Sequence, residues 1–319
     1  MHFPVSGVEV SPLVPPLVAF AISFFTSTGG VSGAFLLLPF QMSVLGFTSP
    51  AVSSTNQLYN IVAIPSGVYR YVREGRMVWP LTWVVIVGTL PGVLIGAIVR
   101  VRYLPDPGAF KLFAGVVLLY IGGRIVKDML VKKKGAGDAK DVEARFQELV
   151  ASYRRNNQEM LAKGGQGIPR VKVVRFTLRR TTYEFYGETF DFSTVGISVL
   201  SFVIGIVGGV YGIGGGAIIA PFFVAWFGLP VYTVAGAALM GTFITSVAGV
   251  AFYQAIAPYY PNLTVAPDYL LGLLFGLGGM AGMYCGARFQ KHLPAKLIKW
   301  MLAGIIVFMA AKYMWDYLR

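Results

Sequence analysis

Charged side chains are missing from two long parts of this chain. None lies between Glu9 and Arg70, and none lies between Asp191 and Asp268. A helix needs about 20 mostly apolar residues to cross a bilayer, so each part is long enough for several crossings. Only 13% of all residues are charged, against ~25% in soluble domains, and 55% are hydrophobic. This composition excludes an ordinary soluble protein and predicts a multi-pass membrane protein.

Metal-binding and reactive side chains are also scarce. Cys285 is the single cysteine, and His2 and His292 are the only histidines. One cysteine excludes an internal disulfide and a cysteine-based zinc site. No Asp or Glu lies deep in a predicted span, so the sequence shows no buried carboxylate relay for protons. We therefore predict no metal, no cofactor and no enzymatic activity.

The charge that remains is strongly positive, at +13. Lys and Arg are concentrated in loops beside apolar segments, which is the pattern that membrane orientation produces, so we expect no binding of nucleic acid. Three basic clusters predict cytoplasmic loops: Arg70 to Arg76, residues 132–194, and Arg288 to Lys299. Both termini are then outside an inner membrane, and so are Arg100 and Arg102.

The apolar parts form two similar halves. A constant offset in residue number aligns Gly30, Gly33 and Pro39 of the first half with Gly212, Gly215 and Pro221 of the second half. Later glycines align in the same order, which is hard to attribute to chance. We predict a first membrane repeat at 10–131, a connector at 132–194 and a second membrane repeat at 195–319.

The first apolar stretch of each half is too long for one helix. It covers residues 12–47 and 195–227, and glycines interrupt it near the middle. Since glycine is a poor helix former, each stretch is predicted to be a broken hairpin, followed by three further spans such as 50–72. If both stretches are hairpins, all three basic clusters lie on the cytoplasmic side of the membrane. The second half then begins on the opposite side from the first, so the two halves are inverted relative to each other. The predicted fold is an all-α polytopic membrane protein with two inverted repeats and a small α+β cytoplasmic insert.

Two other patterns concern packing and the insert. Glycines at every fourth residue in 88–96 and 278–286 predict close helix contacts rather than a ligand site. In the insert, residues 139–162 have helical periodicity, and 171–192 alternate β-branched or aromatic residues with charged ones. The insert is either a plain connector or a docking module for a cytoplasmic partner.

The two glycine breaks form the predicted binding site. A helix that ends inside a membrane leaves backbone groups unpaired, and protein, water or a ligand must satisfy them. A helix N-terminus offers N–H donors and partial positive charge to an anion. The candidate residues are Gly30, Ser32, Gly33, Gly212, Gly214, Gly215 and Gly216. The alternative is that these glycines only permit a kink or tight packing.

Polar side chains in the next stretch of each half extend this candidate site. They are Asn56, Gln57 and Asn60 in the first half, and Thr242, Thr245 and Ser246 in the second. Amides and hydroxyls can donate hydrogen bonds to an anion without the cost of a buried cation. Alternatively, they bond between helices or back to their own helix.

At these motifs the sequence resembles the sulfite exporter TauE/SafE family of membrane permeases. The resemblance rests on the matched halves, on GIGGGAIIAPF at 212–222 and on AGAALMGT at 235–242. It implies transport of sulfur-containing or small organic anions, such as sulfite, thiosulfate, sulfonates or sulfoacetate. Ser32 departs from the family pattern, which has glycine there, so the two half-sites differ chemically.

Our hypothesis is a permease that moves a small sulfur oxyanion through the lipid bilayer by alternating access around the two breaks. The alternative is a membrane-embedded sensor or scaffold that acts through residues 132–194. The sequence carries no signal for the oligomeric state.

Overall fold

The computed structural model describes residues 1–29, 33–73, 75–130, 148, 152, 170–289 and 295–318. The helices in this part of the chain are α1 Val14–Gly29, α2 Ala34–Ser43, α3 Ala51–Ala63, α4 Pro65–Arg73, α5 Trp79–Arg102, α6 Pro107–Leu130, α7 Thr194–Tyr211, α8 Gly216–Phe227, α9 Val231–Ile256, α10 Tyr269–Phe289 and α11 Ala295–Leu318. The strands are β1 His2–Phe3, β2 Val8–Glu9, β3 Lys172–Phe176, β4 Arg180–Phe185 and β5 Glu188–Ser193.

Six of these helices are long and apolar enough to cross a membrane, namely α5, α6, α7, α9, α10 and α11. Helices α1 and α2 contain shorter apolar segments. Their length and composition confirm the predicted polytopic helical membrane protein.

Both predicted glycine breaks are present. Helix α1 ends at Gly29 and α2 begins at Ala34, while α7 ends at Tyr211 and α8 begins at Gly216. In the second break the backbone φ angle is +83° at Gly212 and +72° at Gly214, a region that glycine enters without steric cost. The conformation of this break therefore depends on glycine.

The second break forms the tip of a helical hairpin. Helix α7 runs parallel to α5, because Gly88 contacts Ser198 and Gly96 contacts Ile206 and Val210. Helix α9 also runs parallel to α5, since Val85 contacts Gly241 and Ala97 packs with Tyr253. Two helices that run in the same direction need a returning segment between them, and α8 provides it.

The segment predicted as a single span at 50–72 is interrupted at Ile64, which itself has a right-handed helical conformation with φ −76° and ψ −32°. Helix α3 ends at Ala63 and α4 begins at Pro65. Proline has no backbone N–H and fits the first turn of a helix better than its interior. The equivalent helix of the second half, α9, contains no proline and is continuous.

Equivalent helices of the two halves run in opposite directions where they touch. In the α6–α11 pair, Gly115 contacts Tyr313 and Gly122 contacts Ile306. In the α3–α9 pair, Gln57 contacts Gly249, and Asn60 of the same helix contacts Ser246. The helices of each pair are therefore antiparallel.

The contacts between the halves are also reciprocal. Helix α5 packs closely on α7, the first helix of the other half, and α10 packs on α1 in the same way. A Cβ atom on Gly92 would overlap the carbonyl oxygen of Phe202, and one on Gly282 would overlap that of Phe20. The glycines predicted to allow close approach therefore do so in both halves.

The insert contains the antiparallel sheet β3-β4-β5, which agrees with the β pattern at 171–192. The predicted helix at 139–162 lies outside the described residues apart from two isolated positions. The hydroxyls of Tyr183 in β4 and Thr233 in α9 are 2.8 Å apart. Burial raises the pKa of Tyr183 and keeps this hydroxyl protonated, so it remains a possible donor in the bond that joins sheet to helix.

Two features at the helix ends were not predicted. Strands β1 and β2 form a small hairpin, and the hydroxyl of Ser6 within it donates to the buried carboxylate of Asp268 at 2.8 Å. Arg100, expected at the outer surface, is completely buried. Its guanidinium lies 3.7 Å from the centre of the Phe110 ring and donates to the carbonyl of Thr48 at 3.3 Å.

We expect Gly92→Ala and Gly282→Ala to destabilise the protein to a similar extent. In each case the added methyl group meets a backbone carbonyl that cannot move away without separating two helices, and overpacking costs about 1–3 kcal/mol. Thermal unfolding in detergent, followed by tryptophan fluorescence, measures the effect.

Gly123→Ala in α6 is the matched control, because no atom lies within 4 Å of the added carbon. This change should leave the melting temperature unchanged or raise it, since alanine favours a helix. Equal melting temperatures for all three variants would contradict the packing described for the α1–α10 and α5–α7 pairs.

Candidate functional site

Two amide side chains from α3 hold the second glycine break. The Nδ2 group of Asn56 donates to the carbonyl oxygen of Gly212 at 3.1 Å. The Nδ2 group of Asn60, one helical turn further on, donates to the carbonyl of Ile213 at 3.1 Å. Both side chains are fully buried. The carbonyl groups at the hairpin tip are therefore satisfied by side chains instead of water.

Asn56 also reaches the start of α2, immediately after the first break. Its Nδ2 group donates to the carbonyl of Ala34 at 3.0 Å, and its Oδ1 atom accepts from Gln41 at 3.3 Å. The Tyr211 hydroxyl, at the end of α7, donates to the carbonyl of Phe35 at 2.9 Å. Two side chains thus connect the second break to the beginning of α2.

The first break is described only in part. Gly30 and Ser32 lie outside the described residues. A Cβ atom on Gly33 would lie 2.6 Å from the hydroxyl of Tyr59, which is hydrogen-bonded to Ser23 at 2.7 Å. Gly33 therefore faces hydroxyl groups, whereas the second break faces both amides and hydroxyls.

The candidate glycines of the second break leave no room for a side chain. A Cβ atom on Gly212 would overlap the backbone of Ser53, and one on Gly216 would overlap the carbonyl oxygen of Ala238. One on Gly214 would lie 3.0 Å from the hydroxyl of Ser246. These contacts agree with the alternative interpretation, in which the glycines permit tight packing. The positive φ angles of Gly212 and Gly214 are a second reason why glycine is required there.

The hydroxyl groups of α9 mostly bond within their own helix. Thr242 donates to Ala238 at 2.9 Å and Thr245 to Gly241 at 2.7 Å. The Thr245 oxygen also accepts the N–H of Gly215 at 3.3 Å, so it caps one amide at the start of α8. For Thr242 the structure supports the alternative interpretation, in which the hydroxyl bonds back to the chain.

Three amide side chains near the breaks keep unused polar atoms. Among the described residues, neither Oε1 nor Nε2 of Gln57 has a hydrogen-bond partner, and the Oδ1 atom of Asn60 has none. The same holds for Oε1 of Gln41. Since Gln57 is fully buried and packs against Gly249, its amide is not hydrated from the surface.

The site is electrically neutral in the part of the chain that the structure describes. The side chains that contact the second break are amides and hydroxyls. No group of three or more His, Cys, Asp or Glu in the described residues could hold a metal ion. Such a site can bind a small polar ligand through hydrogen bonds.

Several residues at the site were not among the predicted ones. They are Ser23, Gln41, Tyr59 and Tyr211. Ser53 donates to the carbonyl of Val210 at 3.0 Å and so supports the end of α7. Ser53 and Tyr59 belong to the polar segment that contains Asn56, and Tyr211 directly precedes Gly212. For Tyr59 and Tyr211, the sequence signal was therefore their position within or next to the predicted motifs.

Comparison with known proteins gives two matches. The family described as sulfite exporter TauE/SafE matches residues 16–313 of this chain. A protein named "Probable membrane transporter protein YdhB" from Bacillus subtilis (strain 168) is 27% identical over 110 residues. That match covers 34% of this chain and 42% of the relative, which is less than half of its length. No solved structure matches.

We expect Asn56→Ala to destabilise the folded protein. The change removes the hydrogen bonds to Ala34 and Gly212, and each buried hydrogen bond contributes about 0.5–1.5 kcal/mol. Thermal unfolding in detergent checks this. Asn262→Ala, at an exposed asparagine outside the helices, is the matched control and should behave like the unchanged protein. Equal stability of the two variants would show that Asn56 does not hold the breaks together.

Proposed function

The chain belongs to the sulfite exporter TauE/SafE family, and from this membership we propose that it transports small sulfur-containing oxyanions across a membrane. The named relative, a probable membrane transporter, supports the general class of function. Sulfite, thiosulfate, sulfonates and sulfoacetate are the candidate substrates. The family is one of transporters, which agrees with the expectation that the chain is not an enzyme.

The observation that carries this proposal is the pair of hydrogen bonds made by Asn56. They connect the beginning of α2 with the tip of the α7–α8 hairpin, so elements from both halves meet at one buried place. Paired breaks in apolar helices that meet between repeats are the common arrangement of transporter binding sites. We assign substrate binding to this place.

Alternating access is the proposed mechanism. Helix directions in the α3–α9 and α6–α11 pairs support inverted repeats, as do the reciprocal α1–α10 and α5–α7 contacts. Repeats with opposite orientation have two equivalent arrangements, one open to each side of the membrane. In this proposal the repeats are residues 10–131 and 195–319, and residues 132–194 connect them.

The proposed binding residues remain those of the sequence prediction, with different contributions. The breaks contribute Gly30, Ser32, Gly33, Gly212, Gly214, Gly215 and Gly216, and in this proposal their backbone N–H groups face the ligand. The amides of Gln57 and Asn60 and the hydroxyl of Ser246 have polar atoms that can contact it. Asn56, Thr242 and Thr245 position the surrounding backbone.

We propose an inner-membrane location with both termini outside and residues 132–194 in the cytoplasm, because the basic clusters favour it. The insert could then meet a cytoplasmic partner. The competing sensor or scaffold hypothesis has no support from the family or from the named relative.

Counterflow in liposomes tests the proposal. Vesicles that contain the purified protein and unlabelled sulfite should accumulate radiolabelled sulfite, whereas protein-free vesicles should not. Asn60→Ala should lower the exchange rate about tenfold, which corresponds to roughly 1.4 kcal/mol, because it removes an amide from the site. Asn262→Ala is the control and should exchange at the unchanged rate.

Thiosulfate and sulfonates are tried in the same vesicles. If folded protein exchanges none of these sulfur anions, the proposed substrate class is wrong. If Asn60→Ala exchanges as fast as Asn262→Ala, the site lies elsewhere.

A further inference from the structure

One cluster at the candidate site has spare hydrogen-bonding capacity. It consists of Gln57 and Asn60 of α3 with Ser246 and Gly249 of α9, and we call it the α3–α9 cluster. Asn60 lies 3.4 Å from the hydroxyl of Ser246, and Gln57 packs against Gly249. The three polar side chains are fully buried. The question is which ligand would satisfy their unused atoms.

The free atom of Asn60 is an acceptor. The other atom of its amide lies 3.1 Å from the carbonyl oxygen of Ile213, and a carbonyl can only accept. That atom must be the nitrogen, which fixes the orientation of the amide. The oxygen of Asn60 is therefore the atom without a partner among the described residues.

Gln57 adds one donor group and one further acceptor. Both polar atoms of its amide lack partners in the described part of the chain. Turning the amide over exchanges their positions but leaves one N–H₂ group and one carbonyl oxygen to be satisfied. Leaving a buried polar group unsatisfied costs about 1–3 kcal/mol, so a ligand that satisfies both kinds of atom is favoured.

Three kinds of small ligand can be compared with this requirement. A metal cation would satisfy the two oxygens but would leave the N–H₂ group of Gln57 unpaired. An oxyanion without a proton would accept from Gln57 but would place its lone pairs against the oxygen of Asn60. An oxyanion that carries one proton accepts from the N–H₂ group of Gln57 at one oxygen and donates its O–H to the oxygen of Asn60 from another, so it satisfies one group on each side chain.

We propose that the α3–α9 cluster binds the transported oxyanion in its monoprotonated form. Gln57 donates to an unprotonated oxygen of the ligand, and the Asn60 oxygen accepts the ligand's O–H. This inference rests on the proposed function, because it assumes that the ligand is an oxyanion. It favours hydrogensulfite over sulfonates, which have no O–H on sulfur at neutral pH, and over sulfate, which is a dianion there.

The dependence of sulfite exchange on pH tests the inference. Sulfite gains its proton close to neutral pH, and counterflow is measured with the same pH on both sides of the membrane, so no proton gradient contributes. With sulfite below saturation, the rate should follow the protonated fraction and fall about tenfold for each pH unit above the pKa of the ligand. Excess sulfate should not slow the exchange of labelled sulfite.

Methanesulfonate is the control ligand, because its charge does not change over this range. Its exchange reports any effect of pH on the protein itself and should be slow and independent of pH. Sulfite exchange that stays constant or rises with pH would overturn the inference. So would effective competition by sulfate, or a parallel loss of methanesulfonate exchange.

Gln57→Met provides a second test, since methionine has a flexible side chain of similar length without hydrogen-bonding groups. We expect about a tenfold loss of sulfite exchange with an unchanged or higher melting temperature, because the change removes two unsatisfied polar atoms. Gln254→Met is the control, at an exposed glutamine of α9 that accepts one hydrogen bond from the Tyr269 hydroxyl at the surface. It should leave exchange unchanged and lower the melting temperature only slightly.

A lower melting temperature for Gln57→Met, with exchange reduced only in proportion to the folded fraction, would show that Gln57 is structural. Normal exchange by this variant would also reject the inference. Absence of exchange for every sulfur anion at every pH is a different result, because it rejects the proposed function itself.

Discussion

The structure depends on how it satisfies backbone groups where helices end inside the membrane. Lipid offers no water to an unpaired carbonyl, so the protein must supply every partner at such a place. Asn56 does this for the carbonyl of Gly212 in the second break, and its bond to the carbonyl of Ala34 connects the same side chain to the first turn of α2. These two bonds connect the second break with the helix that follows the first break. The proposed site therefore lies among bonds that also stabilise the fold.

Close helix packing is the condition for this arrangement. An asparagine side chain is short, so α3 can reach the tip of the α7–α8 hairpin only if the backbones nearly touch. Gly212 lies directly against Ser53, and Gly209 lies against Val93 of α5. In lipid, such contact depends on small residues because apolar area alone does not drive helices together. The glycines in the breaks and those in the spans thus serve one purpose, which is close approach of backbones.

The sequence predicted the features that depend on composition and short-range pattern. The spans, both breaks and the strands near 171–192 follow from hydrophobicity, glycine content and alternation. Pro65 was a readable signal for the interruption between α3 and α4, but the unbroken apolar pattern outweighed it. The burial of Arg100 and the bond between Ser23 and Tyr59 depend on helices that are distant in the chain. No local pattern contains that information, and the same is true of the unpaired amide of Gln57.

The two halves are alike in their helices but unequal in their chemistry. At the spacing that aligns the breaks, Asn56, Gln57 and Asn60 correspond to Ala238, Leu239 and Thr242. Two of these three have no polar side-chain atom, and the hydroxyl of Thr242 bonds to its own helix. All three amides therefore come from the first half, while the second half contributes the hairpin tip and Ser246. A symmetrical pair of sites would need amides on both sides, so the proposed site is a single asymmetric one.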